Sequence, residues 1–238
     1  MAAKGKYLAM MGDALSIWEI ESDKERPLGA VKRAELGFIE WLLQSSEIQR
    51  ELPSVDLPLA VQDGFAFFGD AVFNPDGTLI AVNALLELDE VHDSIRREWI
   101  LAFDVSTLEQ RFRIETGSPG NNPLSWTVSG QLIACGDKNV LSIEPDRGRF
   151  SELLIQAENC CCHPVHNICA FASLVGYRSD KNPALCKIHI VRLHDLDTVT
   201  EQSVAGYILQ MRWSTDGTKL YVLTTEKELW TCAFPEIP

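Results

Sequence analysis

One short segment of the sequence combines several side chains that bind metals. It reads Cys160-Cys161-Cys162-His163-Pro164-Val165-His166, with Cys169 close behind. Thiolates and imidazoles are preferred zinc ligands, and four of them can close a tetrahedral site. In a strand, however, Cys160 and Cys162 would face one way and Cys161 the other. Because no second, separated cysteine pair follows, we predict no metal site and no cofactor.

Catalytic signatures are missing from the sequence. It contains no G-x-S-x-G nucleophile motif, no H-E-x-x-H zinc motif, no G-x-x-x-x-G-K-[ST] phosphate loop and no G-x-G-x-x-G fingerprint. The acidic residues around His92 are suited to acid–base chemistry, but a solvated acidic hairpin explains them more simply. We therefore predict that the chain is not an enzyme, and we assign no catalytic residue.

The charge balance narrows the classes of partner. Lys and Arg number 21 against 34 Asp and Glu, which gives a formal net charge of −13. Nucleic acids and anionic membrane surfaces both select basic proteins, so we predict neither as a partner. No apolar stretch approaches the roughly 18 residues of a membrane span. The seven cysteines are odd in number and three are contiguous, which favours reduced, buried thiols and a cytoplasmic location.

A repeat along the chain accounts for the positions of these residues. Three glycines are each followed by an apolar strand, a polar hairpin and a second apolar strand: Gly5, Gly130 and Gly217. The second strand contains the residue thirteen positions after the glycine, namely Trp18, Ile143 and Trp230. Two further copies, after Gly77 and His166, keep the first strand and lengthen the hairpin. In the His166 copy, His163-Pro164 takes the place of Asn74-Pro75, and Cys162 that of Phe73.

The two lengthened hairpins, residues 83–98 and 173–186, lie between the second and third strands of their repeats. Insertions on one face of a repeat protein frequently mark its binding face, although loops also lengthen by neutral drift. We expect deletion of either hairpin to leave a folded protein. On this basis the sequence predicts contacts with a protein or peptide at eight residues: Glu90, His92, Asp93, Arg96, Arg97, Tyr177, Arg178 and Lys181.

The repeat resembles a known family. An F-x-P-D-G turn at 73–77 and an I-W-E strand at 17–19 look like parts of WD-repeat β-propeller blades, and each unit has four strands in about 40 residues. The family's Gly-His dipeptide is missing, and its Trp-Asp ending survives only as Trp18-Glu19 and Phe103-Asp104. The resemblance implies an all-β fold, a β-propeller of about five to six four-stranded blades forming one domain over residues 1–238.

Residues 21–70 fit the repeat least well. Leu36-Gly37-Phe38-Ile39 is compatible with a degenerate blade, which we favour. The apolar spacing between 31 and 52 also predicts a short helix, inserted between blades. Pro53 and Pro58 would end such a helix.

The repeat register leaves the two ends of the chain unmatched. The first copy starts at Gly5 with its second strand, and the last copy ends near Phe234 with its third strand. One inner and one outer strand would then be missing, which leaves strand edges that recruit other strands. We expect irregular closure, a dimer or partner that supplies the strands, or a fragment of a longer propeller.

The resemblance implies a non-enzymatic protein–protein interaction module or scaffold that uses the propeller face and loops. One alternative is a sensor of a small ligand or metal through the Cys/His segment at 160–169. Another is an enzyme whose site lies in the central channel. These three functions differ in the features that they require. The interaction module needs only exposed loops and strand edges, whereas the sensor and the enzyme need more than these.

Overall fold

The computed structural model describes residues 2–4, 7–21, 29–46, 50, 65–87, 96–116, 123–135, 139–145, 148–177, 183–226 and 229–233. The chain divides into two compact units, Met1–Asn121 and Asn122–Pro238, which are considered separately below. Among the described residues, no helix has the length and apolar character needed to span a bilayer.

The first unit contains two antiparallel sheets, in each of which the strands pair in chain order. The first sheet consists of β1 (Ala2–Lys4), β2 (Tyr7–Met10), β3 (Ala14–Glu21) and β4 (Gly29–Gly37). A short helix, α1 (Phe38–Gln44), follows directly. The second sheet consists of β5 (Phe65–Phe73), β6 (Leu79–Glu87), β7 (Arg96–Asp104) and β8 (Gln110–Glu115).

The second unit contains three sheets of the same kind. The first consists of β9 (Leu124–Trp126), β10 (Leu132–Cys135), β11 (Val140–Glu144) and β12 (Arg149–Leu153). The next consists of β13 (Asn159–Cys162), β14 (Ile168–Gly176), β15 (Leu185–Arg192) and β16 (Thr198–Ala205). The last has three described strands, β17 (Ile208–Trp213), β18 (Lys219–Thr224) and β19 (Leu229–Ala233).

These five meanders are the blades of a β-propeller fold. Each is a small antiparallel sheet whose strands follow one another in sequence, and within each unit the sheets bury apolar side chains against their neighbours. The predicted all-β class, the predicted number of blades and the short helix within 31–52 are all confirmed.

The prediction of a degenerate blade around Gly37 is wrong. Gly29–Gly37 is instead the outer strand of the first sheet, where Ala14 pairs with Gly37 and Glu21 pairs with Gly29. The chain then enters α1, since Phe38, Trp41 and Leu42 recur at helical spacing and all three are buried. A strand would have placed Trp41 and Leu42 on opposite faces.

Trp41, to which the sequence assigned no contact, lies in the centre of the first unit's core. Its ring meets Trp99 edge-on, with centroids 5.4 Å apart, and it also contacts Phe38. Its indole N–H donates a 2.7 Å hydrogen bond to Oε1 of Gln110. The helix is therefore held against the β5–β8 sheet by an aromatic cluster and by a satisfied polar contact.

The described residues of the lengthened hairpins are mostly strand. The pairing of β6 with β7 extends to Glu87 and Arg96, and that of β14 with β15 extends to Gly176 and Leu185. Leu86, inside the first hairpin, is completely buried. Each hairpin contributes buried residues, Leu86 in the first and Cys186 in the second, and this burial argues against the expectation that either hairpin can be deleted from a folded protein.

The ends of the chain differ from the predicted register in one respect. β1 pairs with β2, Ala2 opposite Ala9, so the inner strand predicted to be missing is present. Three residues ahead of Gly5 are enough to form it, although each strand of this pair is short. Within the described residues, the last sheet lacks an outer strand, as predicted.

The position of Trp41 can be tested by truncation. We expect Trp41→Ala to lower the free energy of unfolding by about 3–5 kcal/mol, since it removes a buried indole and its hydrogen bond. Leu43→Ala is the matched control on the same helix, because Leu43 is 46% exposed. Urea unfolding followed by circular dichroism measures both, and equal effects would contradict the packing of α1.

Candidate functional site

The middle sheet of the second unit, β13–β16, is covered on both faces. Residues 168–172 of β14 are buried without interruption. Ile168 and Ala170 pack towards the β17–β19 sheet, whereas Cys169 and Phe171 pack towards the β9–β12 sheet. Because these five successive residues are all buried, this half of β14 lies between two neighbouring sheets.

Within the second unit, the last sheet, β17–β19, packs against another sheet on one face only. Along β18, Leu220 and Val222 are buried against the β13–β16 sheet, while Tyr221 and Leu223 between them are exposed. Strict alternation of this kind marks a sheet with one solvated face. We call the side of this sheet that carries Tyr221 and Leu223 the exposed face. The pairing of the strands places seven exposed residues on it: Gln210, Arg212, Lys219, Tyr221, Leu223, Leu229 and Thr231.

The hydrogen-bond ladder shows which backbone groups of β19 point outward. The N–H of Ser214 donates to the carbonyl of Lys219 at 2.8 Å, which sets the alternation of bonded and non-bonded pairs between β17 and β18. On that alternation, Leu220 and Val222 direct their backbone groups to β19. The backbone groups turned to the outer edge of β19 are those of Leu229, Thr231 and Ala233.

A repeated turn connects the first and second strands in the later sheets. Its first side chain accepts a hydrogen bond from the backbone where the second strand begins: Asn74 from Leu79, Thr127 from Gln131 and Ser214 from Lys219, at 2.9–3.0 Å. The turn requires only a side chain whose acceptor atom can reach this backbone N–H, so the residue type varies. His163 holds the predicted fourth position, but its side chain accepts hydrogen bonds within the turn, from Val165 and His166, and not from Ile168 at the start of the second strand.

His163 uses both ring nitrogens in structural hydrogen bonds. Its Nδ1 accepts from the N–H groups of Val165 and His166, at 3.1 and 2.9 Å. The proton therefore resides on Nε2, which donates to the carbonyl of Gly217 at 3.0 Å. The ring is 2% exposed, and burial lowers the pKa of His163. It fastens the last sheet to the β13–β16 sheet and has no nitrogen left for a metal.

Gly217 is required at the other end of this contact. Its φ is +73°, in the left-handed region that favours glycine. A Cβ at this position would lie 2.2 Å from Cε1 of His163. The turn therefore needs a glycine for its conformation and for the close approach of the imidazole.

Four thiols meet between the β9–β12 and β13–β16 sheets. Cys160, Cys162 and Cys169 are buried there together with Cys135, whereas Cys161 faces the last sheet. The predicted alternation along β13 is thus confirmed, and six of the seven cysteines are buried as predicted. Cys135 was missed because it comes from another blade. Among the described residues, no group of three or more His, Cys, Asp or Glu is placed to hold a metal.

Burial controls the ionisation of these thiols. It raises the pKa of Cys135 and Cys169 well above the ordinary value, and that of Cys161 to about 12. Hydrogen bonds with Cys135 and then Cys169 lower the pKa of Cys160, because its thiolate would accept both. In the structure the Cys160 thiol donates to the backbone carbonyls of Pro123 at 3.3 Å and Ile133 at 3.9 Å.

The predicted contact residues Arg96 and Arg97 lie in a strand, not in a loop. Arg96 forms ion pairs with Glu98 at 2.9 Å and Glu87 at 3.5 Å, and Arg97 pairs with Glu115. Cross-strand ion pairs of this kind help to fix the register between strands. Both guanidinium groups thus have intramolecular partners within the β5–β8 sheet.

Tyr177 is the most exposed of the predicted contact residues that the structure describes. It follows β14 at the end of the second hairpin and is 82% exposed. Val175 and Leu185 nearby are also exposed, so this tip presents apolar side chains to solvent. The other predicted contact residues lie outside the described residues: Glu90, His92, Asp93, Arg178 and Lys181.

Comparison with known proteins supports the fold. No family model and no curated protein matches the sequence. The tricorn protease matches 96% of this chain over 24% of its own length, with 10% identity and a TM-score of 0.56. The acylaminoacyl peptidase of Pyrococcus horikoshii matches 67% over 28%, with 8% identity and a TM-score of 0.52. The chain therefore spans about a quarter of these two proteins.

A third match is named as a β-propeller. The β-propeller domain of the trilobed protease from Pyrococcus furiosus matches 66% of this chain over 48% of its own length. The identity is 12% and the TM-score 0.48. The two matches above 0.5 show a shared fold and nothing about the activity of this chain.

Two glycines at equivalent turns provide a matched test of the His163 contact. Gly130→Ala should lower the free energy of unfolding by about 1–2 kcal/mol, because φ is +83° and nothing lies within 4 Å of the added Cβ. Gly217→Ala should lower it by about 1–3 kcal/mol more, because the Cβ displaces the imidazole. Chemical denaturation measures both, and equal losses would contradict the close approach.

His163 also predicts a pH dependence. Its folded pKa lies below the ordinary value of 6.5, so the unfolded chain binds the proton first. The neutral ring's contribution is present above about pH 6.5 and lost as pH falls towards the folded pKa. We expect the melting temperature to fall less steeply between pH 7.5 and 5, roughly, in His163→Asn than in the wild type. Parallel slopes would show that another group titrates.

Proposed function

We propose that this chain is a WD-repeat-like β-propeller acting as a non-enzymatic protein-interaction module in the cytoplasm. In this proposal, the outer edge of β19 binds an extended segment of another protein as a fourth strand. One observation carries it: the last sheet has three described strands where each of the other four has four. Among the described residues, the outer position of this sheet holds no strand, so the proposed binding position lies at the periphery of the blade.

The outward backbone groups of β19 supply the affinity. Leu229, Thr231 and Ala233 each direct an N–H and a C=O to the edge, which matches the ladder of an added antiparallel or parallel strand. Proteins normally blunt such edges with charges, prolines or covering loops. The described part of β19, Leu-Trp-Thr-Cys-Ala, contains neither a charge nor a proline.

The exposed face determines which segments fit. Leu223 and Leu229 lie directly opposite one another on this face and are 39% and 65% exposed, with Tyr221 next to Leu223 along β18. An added strand would place alternate side chains beside Leu229 and Thr231. Arg212 and Lys219 give the face two cations, and none of its described residues is acidic, although the chain is acidic overall. We therefore expect a segment with alternating apolar residues and acidic flanks.

Tyr177 is proposed as a second contact on the same module. Its exposed ring lies at the tip of the β14–β15 hairpin beside Val175 and Leu185. Aromatic side chains are enriched at the energetically important positions of protein interfaces. This contact does not depend on the edge of β19, so the two positions can be tested separately.

Substitution of Thr231 by proline tests whether the outer edge of β19 binds a peptide strand. Peptides selected by display on the wild-type protein should alternate apolar residues and protect the Thr231 amide from hydrogen exchange. Thr231→Pro removes this outward N–H, and we expect it to weaken peptide binding about tenfold or more. Thr231→Ala keeps the N–H and should change affinity less than about threefold. Isothermal calorimetry measures both, with circular dichroism to confirm folding.

Other outcomes would overturn this assignment. Peptides that lose binding with Tyr177→Ala but not with Thr231→Pro would move the site to the hairpin tip. A concentration-dependent dimer in light scattering that Thr231→Pro dissociates would make a second copy of this chain the occupant. Failure to select any peptide would contradict a strand-binding function.

A further inference from the structure

Cys162 and Cys169 lie directly opposite one another on neighbouring strands. They pair across β13 and β14, and their Sγ atoms are 3.4 Å apart. The next pair is a hydrogen-bonded one, because the N–H of His163 donates to the carbonyl of Ile168. Cys162 and Cys169 therefore occupy a non-hydrogen-bonded site, where Cα atoms approach to about 4.5 Å. That spacing lies within the range that disulfides bridge.

The other cysteines are less well placed for this bond. Cys160 lies opposite Phe171, and Cys161 lies opposite Ala170 on the other face of the sheet. Cys135 belongs to the neighbouring β9–β12 sheet, so its distance to the pair depends on how two sheets pack. Only Cys162 and Cys169 have their sulfur separation fixed by the register of a single pair of strands.

The surroundings favour one order of reaction. Cys169 is completely buried, whereas Cys162 retains 8% of its exposure. The thiol of Cys162 donates to the sulfur of Cys169, so the two are already in contact. A small oxidant that enters this site meets Cys162 first, and Cys169 is then in position to complete the bond.

We infer that Cys162 and Cys169 are an oxidisable dithiol, which a hydroperoxide converts into a cross-strand disulfide within one chain. This modification site is independent of the proposed strand-binding edge. It uses residues to which the interaction function gives no role.

The reaction with hydrogen peroxide balances in two steps. The sulfur of Cys162 attacks one peroxide oxygen; the O–O bond breaks, a sulfenic acid forms, and the other oxygen leaves as water with the thiol proton. The sulfur of Cys169 then attacks the sulfenic sulfur. The S–S bond forms, the S–O bond breaks, and the hydroxyl leaves as water with the proton of Cys169. Both sulfurs are oxidised, and one peroxide is reduced to two waters.

The disulfide would close a small ring around residues 163–168. This ring contains His163, whose Nε2 donates to the carbonyl of Gly217 in the last sheet. Cross-linking restricts the unfolded chain and so favours the folded one. Oxidation should therefore raise the melting temperature of the protein, and reduction should restore it.

Differential alkylation tests the inference on the full chain. Protein oxidised with dilute hydrogen peroxide is denatured, and its free thiols are blocked with one alkylating reagent. It is then reduced and labelled with a second reagent. We expect the titratable thiols in denaturant to fall from the seven of the sequence by two, with the second label on Cys162 and Cys169. Intact mass should show a monomer that has lost two hydrogen atoms.

Variants supply the controls. Cys162→Ala and Cys169→Ala should each abolish the oxidation-dependent rise in melting temperature, whereas Cys161→Ala, on the other face, should retain it. The inference is overturned if all seven thiols stay free, if the second label falls on another pair, or if only intermolecular dimers form. The label mapping uses wild-type protein, so it stands even where an alanine variant fails to fold.

Discussion

The structure depends on the requirement that a small sheet be covered on both faces. A meander of three or four short strands cannot bury enough apolar surface by itself, so each blade borrows its core from its neighbours. In the β13–β16 sheet this makes β14 buried at five successive positions. Within the second unit, the last sheet packs against a neighbour on one side only, and burial alternates along β18 accordingly.

The repeat could be predicted from sequence because the turns impose local rules. A capping side chain and a glycine with positive φ recur before the second strand, as at Asn74 and Gly77. Their fixed spacing makes the repeat recognisable in the sequence. His163 was placed correctly by this spacing although its chemistry differs from that of asparagine. Its bond to Gly217 was not predictable, since it joins turns in two separate blades.

Other features were missed for the same reason. The role of Trp41 rests on Trp99 and Gln110, which are far away in the sequence, so a single apolar residue at helical spacing gave no sign of it. Gly29–Gly37 was taken for a new blade because strand propensity does not distinguish the outer strand of one sheet from the inner strand of another. Loop and strand were likewise confused in the hairpins, where length alone suggested insertion.

The thiol pair and the strand edge of the second unit both follow from how its sheets are packed against one another. Small apolar residues are needed where two sheets pack face to face, and cysteine behaves as one. The thiols of Cys162 and Cys169 are in contact because two of these cysteines lie opposite one another on paired strands. In the last sheet, the described part of β19 carries neither a charge nor a proline. Natural proteins commonly use such residues to prevent pairing at a strand edge. The binding proposed for this edge therefore concerns a strand whose described part lacks this protection.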